Sequence, residues 1–462
     1  MGGFGGRSTA EARPRDPRKA SEAKLGTRIL RLFRRPVFQV FIVAVVILIS
    51  STFAVFALSR PWVGHVLLGD GAYQTAVAVD STGAIHVVIA DTSLLYATNA
   101  GGGWTTTVLD GDHSVFRAVL ARDTKDHLHV VEEAFPPDTG VPGEAAMASI
   151  RYWTNSAGGW SVTTIDAAGR GASIAIDGSD HIHAAYLGTN GSTTELRHAT
   201  DAGGVWTSTP VFSWSDSLTS AVATAIAVAP SGAVSITVSY GLFGLIYYLT
   251  NSTGSWTRSE LTSSADLGGT ASFPVDTAPV AIDAAGTVHA AFSVYNRSTN
   301  TTSVIHAENS KGNWAWDSVG TTREGVTCSM VLDASGHVHL AYGDSSSGEP
   351  TSGVLTYATN AGGGWSRHVV DPNTRSSAGS SIALSRTGNP VIAYVYQEFA
   401  PFPHFSPDLA TSTRVVTNAI EGWNFVDVLA ALAPFLFGEL LAVGVAFRIV
   451  TRHRLRDRPK TS

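Results

Sequence analysis

Cysteine is all but missing from this chain. Cys328 stands alone among 462 residues, which excludes an intrachain disulfide and any zinc site built on cysteines. Its setting, Val326-Thr-Cys-Ser-Met-Val-Leu332, is that of a small core residue. Charge is scarce too, at 15% of residues, and unevenly spread: ten of the 31 Lys/Arg fall within 1–36 and six within 448–462. The middle of the chain is therefore acidic, which makes nucleic acid a poor partner for it. No phosphate-binding glycine loop, Ser-His-Asp arrangement or zincin helix is found, so no cofactor or metal is expected.

Long apolar runs are confined to two places. Residues 37–58 carry no charge and are long enough to cross a hydrocarbon layer of about 30 Å. A secretory signal competes for this stretch, with Val55-Phe56-Ala57 as a cleavable end, but the long segment before it favours an uncleaved anchor. The second run, 425–447, is interrupted by Asp427, Pro434 and Glu439. The basic flanks, 1–36 and 448–462, lie on the far side of both runs from residues 60–424. The positive-inside bias then predicts two transmembrane helices, cytoplasmic termini in a cell membrane, and an extracytoplasmic middle. Glu439, near mid-span, either packs as a protonated carboxyl against the first span or meets a partner helix or another copy of this protein.

Glycine is plentiful, with 46 residues, and much of it belongs to one repeated turn. Tyr96-Ala-Thr-Asn99-Ala-Gly-Gly-Gly-Trp104 recurs unchanged at 357–365, with Asn360 and Trp365 in the matching places. Looser copies end at Trp160, Trp206, Trp256, Trp314 and Trp423, each five residues after Asn155, Asp201, Asn251, Asn309 or Asn418. Upstream of these turns lies a second signature, an Asp turn followed by a histidine: Asp80 and His86, Asp123 and His129, Asp177 and His183, Asp283 and His289, Asp333 and His339. Successive copies are 43 to 54 residues apart. Each copy parses into four short strands, A to D, and that period fits propeller blades better than solenoid turns.

These patterns predict an all-β fold: a seven-bladed β-propeller of four-stranded blades over 60–424, flanked by the two transmembrane helices. The last copy runs out of chain for a strand D at Trp423. Arg60-Pro-Trp62-Val-Gly-His-Val-Leu-Leu68 reads as a strand D with nothing before it, so the N-terminal strand is expected to complete the seventh blade. The Trp turns would then face the membrane, leaving the long, irregular B–C and D–A loops for binding.

The turn Ala199-Thr-Asp201-Ala-Gly203-Gly-Val-Trp206 resembles a degenerate Asp-box, the BNR repeat of sialidase-like propellers. It keeps Asp201, Gly203 and Trp206 and departs at Ala199 and Val205. The resemblance implies a fold, since the box is structural in that family. A sialidase-type site would need converging arginines, and Arg117, Arg170, Arg323 and Arg375 all precede an A strand. Tyr186 and Tyr342 end B strands near the same rim, as do Tyr240 and Tyr394, with Glu132, Glu133 and Glu324 close by. Such a cluster suits a carboxylate bound by paired N–H contacts. No pattern ties a particular Tyr to a particular Glu, so no catalytic role is assigned. The expected function is ligand binding, of a glycan or a surface protein. Sialidase-like hydrolysis and a structural role in a membrane assembly are the alternatives. The repeated histidines sit in separate blades, too far apart to share a metal.

Overall fold

The computed structural model describes residues 62–69, 72–136, 148–191, 193–214, 221–240, 245–262, 278–296, 301–310, 312–322, 328–344, 354–372, 374, 379–397 and 411–417. After β1 (Val63–Leu68), unit one holds β2 (Gln74–Val79), β3 (Ile85–Ala90), β4 (Leu94–Thr98) and β5 (Thr105–Asp110). Unit two begins with β6 (Ser114–Arg122), β7 (Leu128–Phe135) and β8 (Ala148–Thr154). The long β9 (Ser161–Ile176) is both the last strand of unit two and the first of unit three. Unit three continues with β10 (Ile182–Asn190), β11 (Thr193–Thr200) and β12 (Thr207–Trp214).

Three further units repeat the plan. They are β13 (Ala221–Val228) to β16 (Thr257–Thr262) through β14 (Val234–Tyr240) and β15 (Leu245–Thr250), then β17 (Val280–Ile282), β18 (Val288–Asn296), β19 (Thr301–Asn309) and β20 (Trp314–Thr322), then β21 (Cys328–Leu332), β22 (Val338–Asp344), β23 (Val354–Thr359) and β24 (Ser366–Asp371). The last unit combines β25 (Ser381–Leu384), β26 (Pro390–Gln397) and β27 (Thr411–Thr417) with β1, which pairs antiparallel to β27 with Val63 opposite Thr417.

Composition explains the order of strands within a unit. The second strands are Val-, Ile- and Ala-rich and buried on both faces, β3 along its whole length. The fourth strands are Thr- and Ser-rich and largely exposed, as in β5 and β24. The first strands of successive units lie side by side, and β25 meets β2 to close the ring. At that joint the Thr75 amide and hydroxyl both donate to the Gly379 carbonyl, at 3.1 and 2.7 Å. Gly379 has φ +69°, and a Cβ there would stand 2.8 Å from Gln74 Cα. Only glycine suits both the conformation and the approach.

The repeated turn is a hydrogen-bonding device. Asn99 Oδ1 accepts the Ile85 amide at the head of β3, at 2.7 Å. Asn155, Asp201, Asn251 and Asn360 do the same for Leu128, Ile182, Val234 and Val338, at 2.7 to 2.8 Å. Asn and Asp interchange because only an acceptor oxygen is needed. Asn309 differs and takes the Gly312 amide instead, at 2.6 Å.

Each Trp reaches the preceding unit. Trp160 packs edge-on against Tyr96, Trp206 against Tyr152, Trp256 against His198, Trp314 against Tyr248 and Trp365 against His306, at centroid distances of 5.0 to 5.8 Å. Trp62, ahead of β1, continues the series against Tyr357 at 5.6 Å. Behind each of these partners lies the repeated second-strand residue: His86 on Tyr96 (2.7 Å), His129 on Tyr152 (2.6 Å), His183 on His198 (3.0 Å), Ser235 on Tyr248 (2.9 Å), His289 on His306 (3.0 Å) and His339 on Tyr357 (2.6 Å). The histidines thus serve the joints between units, and no group able to hold a metal is present among the described residues.

The expected flanks require correction. All regular structure described is β, and no helix among the described residues is long and apolar enough to cross a membrane. The runs assigned as spans, 37–58 and 425–447, lie outside the described residues, as do Trp423, Glu439 and both basic segments. The two flanking helices, the two-span cell-membrane placement with cytoplasmic termini, and the membrane-facing assignment of the Trp turns are therefore withdrawn. A hydropathy run measures only what solvent would suit a segment, and nothing in the described fold turns these runs into spans.

Candidate functional site

Antiparallel order puts the A–B and C–D turns of every unit at one end of its sheet. The starts of the first strands and the ends of the second strands lie at the other. The charged residues singled out from sequence gather at that second end in units two and three. Glu132 and Glu133 follow one another on β7, so their side chains leave opposite faces of the sheet. One serves the joint with unit one, the other the joint with unit three.

Glu133 lies opposite Arg117 of β6 in the register, and Arg117 Nε is 3.5 Å from its carboxylate. Oε1 of Glu133 accepts the Ala172 amide of β9 at 2.8 Å. Arg170, buried two residues earlier on the same strand, adds its charge to the same carboxyl. Burial pushes the Glu133 carboxyl above the ordinary range, against the pull of Arg117, the Ala172 and Gly171 amides and Arg170. Arg117 and Glu133, on neighbouring strands, therefore meet at the joint with unit three, and the Arg170 charge on β9 adds a weaker pull on the same carboxyl.

Glu132 faces unit one and is 0% exposed. Trp153 Nε1 donates to its Oε1 at 2.6 Å, and Arg151 lies 3.4 Å away. Arg151 also binds Asp110, at the end of β5, and Asp110 holds His113 at 3.0 Å. Burial pushes Glu132 up to about 7, against Trp153 and Arg151, and the neighbouring Asp110 charge adds to the rise. Asp110 ends below its usual range. Burial would raise it, but the Asp112 amide, His113 and Arg151 outweigh that.

The equivalent joint between units two and three carries Tyr186, which is 0% exposed. Its hydroxyl donates to Asp166 at 2.9 Å and shares 2.6 Å with Ser208 Oγ. Arg197 stands 3.4 Å from Asp166 and 2.9 Å from Glu195. Tyr394 repeats the arrangement on Asp371 at 2.7 Å, with Arg414 at 3.6 Å. Tyr342 is fully buried at the corresponding place on β22. Tyr186 and Tyr342 thus hold units together and show no surface to the rim. Glu132 occupies the same position on its strand as these tyrosines, three residues beyond the repeated histidine.

Of the predicted arginines, Arg117 pairs with Glu133, and Arg170 lies buried on β9 with its charge acting on the same carboxyl. Arg323 and Arg375 lie outside the described residues, as does Glu324. The sequence reading missed Phe116. It is the extra residue of a β-bulge in β6, between the register partners Val115 and Arg117, and a bulge re-aims its side chain. Phe116 turns toward unit one and stacks on Tyr73, with centroids 4.4 Å apart and planes 15° from parallel. Phe135, at the end of β7, meets Phe116 edge-on at 6.2 Å. An aromatic directly before Arg117 and another before Gln74, the matching position in unit one, was the only signal in the sequence.

No protein-family model matches this sequence, and no curated protein matches it. The Asp-box resemblance therefore rests on the residues that suggested it. Among solved structures, an ulvan lyase of polysaccharide lyase family PL25, bound to a GlcA–Rha3S unit, is 10% identical, covering 75% of this chain and 94% of its own, with a TM-score of 0.48. AofleA from Arthrobotrys oligospora is 12% identical over 67% of this chain and 90% of its own, at 0.42. An α-L-arabinofuranosidase from Fusarium graminearum is 10% identical over 78% and 98%, at 0.43. At such identities and scores, none of these likenesses bears on ligand or activity.

Proposed function

We propose that this protein binds a carboxylate-bearing glycan at the inner edge of units two and three. The observation that carries this reading is the partly exposed Arg117 held 3.5 Å from the buried Glu133 carboxyl. Arg117 keeps 15% of its side chain exposed, and its planar fork matches a carboxylate. Glu133 holds that fork in place, so less ordering is needed on binding.

Binding is preferred over hydrolysis because Glu132, the carboxyl poised near neutrality, has no exposed surface with which to reach a substrate. The test is a glycan array with the full chain, followed by titration calorimetry on the acidic glycans retained. Arg117→Ala is expected to weaken binding tenfold or more. Retention of no acidic glycan, or equal affinity in the variant, would retire the reading.

A further inference from the structure

We infer that Tyr73, backed by Phe116, is a stacking platform for one pyranose ring of the ligand. The inference rests on the glycan reading above and adds a subsite to it. Tyr73 is 42% exposed. Among the described residues, the other exposed large apolar side chains lie on outermost strands (Val66, Val108, Val162, Trp316 and Val369) or in a Trp turn (Val205). Tyr73 is the one at the start of an innermost strand, on the end of the ring where Arg117 lies.

Its setting is rigid from three directions. The Tyr73 amide donates to the Ala90 carbonyl at 2.8 Å. Gly379 of the last unit presses on the Tyr73–Gln74 backbone, so closely that a Cβ would stand 2.9 Å from the Tyr73 carbonyl oxygen. Phe116 supports one face of the ring and is itself wedged by Phe135. A ring held this way presents its remaining surface without losing further side-chain freedom when a ligand arrives.

The chemistry of the platform selects its occupant. The face of an aromatic ring is electronegative, and the axial C–H groups on one face of a pyranose carry the complementary partial charge. One ring is far too small an anchor for a stable protein interface, which needs on the order of 1,000 Å². It matches the size of one sugar. Phe116 and Arg117 are adjacent residues of β6 whose side chains leave opposite faces of the sheet at the same end of the ring, so a ring on Tyr73 and a carboxylate at Arg117 would belong to different sugars of one oligosaccharide. Hydroxyl and carboxylate groups would be read by the charged cluster, and ring stacking by Tyr73.

The experiment uses the full chain with two probes, a tetragalacturonate and the neutral cellotetraose, titrated against wild type, Tyr73→Ala, Tyr73→Phe and Arg117→Ala. Saturation-transfer NMR reports which sugar protons touch an aromatic ring. Expected are a tenfold or greater loss of affinity in Tyr73→Ala, a change of less than about threefold in Tyr73→Phe, and ring-current shifts of sugar C–H protons that vanish only in Tyr73→Ala. Thermal melting of each variant shows whether it is folded. Unchanged binding in a folded Tyr73→Ala, with loss in Arg117→Ala, overturns the platform and leaves the carboxylate reading standing. Equal binding of both probes, lost in Tyr73→Ala but not in Arg117→Ala, upholds the platform and removes that reading. Binding of neither probe by wild type overturns both.

Discussion

The histidine pairs behind the Trp residues make the protein sensitive to acid in a way that substitution can remove. His198 and His306 each place Nε2 3.0 Å from Nδ1 of a second histidine, His183 or His289. Burial first, and then the neighbouring histidine, lowers both to about 4. An unfolded histidine titrates near 6.5. Between those two values the unfolded chain binds protons that the folded chain refuses. The stability these residues allow is therefore complete above about pH 6.5 and declines as the pH falls toward 4. From pH 7.5 to 5, each should lower stability by about 2 kcal/mol, and the two together by about 4 kcal/mol.

Four other units carry tyrosine at the same position: Tyr96, Tyr152, Tyr248 and Tyr357. Their hydroxyls lie 2.6 to 2.9 Å from the partner side chain. His198→Tyr with His306→Tyr should therefore keep the contact and remove the titration. Urea unfolding followed by Trp fluorescence at pH 7.5 and 5.0 measures the difference. The double variant should lose about 4 kcal/mol less than wild type between the two pH values. The slope that remains belongs to His86, His129, His183 and His339, which burial also depresses. A wild type equally stable at both pH values, or a double variant that falls just as far, would refute the reasoning.

Two further predictions concern other joints. Asn99→Asp should be close to neutral in thermal melts, because the acceptor for the Ile85 amide is kept; Asn99→Ala should destabilise by about 1–3 kcal/mol, the cost of leaving that buried amide unmet. Glu132 titrates at about 7 when folded and near 4.5 when unfolded, so its charge burdens the fold increasingly as pH rises through this window. Glu132→Gln should accordingly gain about 2–3 kcal/mol relative to wild type on going from pH 5 to 8 in urea unfolding, and equal pH profiles would contradict the raised carboxyl.

The sequence was most legible where structure is local. Asn99 and Trp104 sit five residues apart because one tight turn must present an acceptor to β3 and start β5, and a turn is specified by its own residues. The strand at 63–68 was readable by its likeness to the stretch after Trp104, and its partner β27 is the strand left without a neighbour. Arg117 and Arg170 could be singled out because each stands a few residues ahead of an Asp turn, six before Asp123 and seven before Asp177.

Less legible was everything that depends on which unit faces which. Nothing linear shows that Trp206 packs on Tyr152, that Arg151 reaches back to Asp110, or that Tyr186 spends its hydroxyl on Asp166 instead of a ligand. Nor does it show that a bulge turns Phe116 onto Tyr73. Apolar runs at 37–58 and 425–447 were read from hydropathy and their basic flanks, and no spanning helix stands among the described residues to support them. The repeat and its strands follow from the chain by itself, because turn hydrogen bonds and strand alternation involve residues close in sequence. The joints, and the candidate site built on them, were decided only by the tertiary structure, because closing the ring brings together side chains that the repeat keeps some fifty residues apart or, at the joint of the first and last units, most of the chain apart.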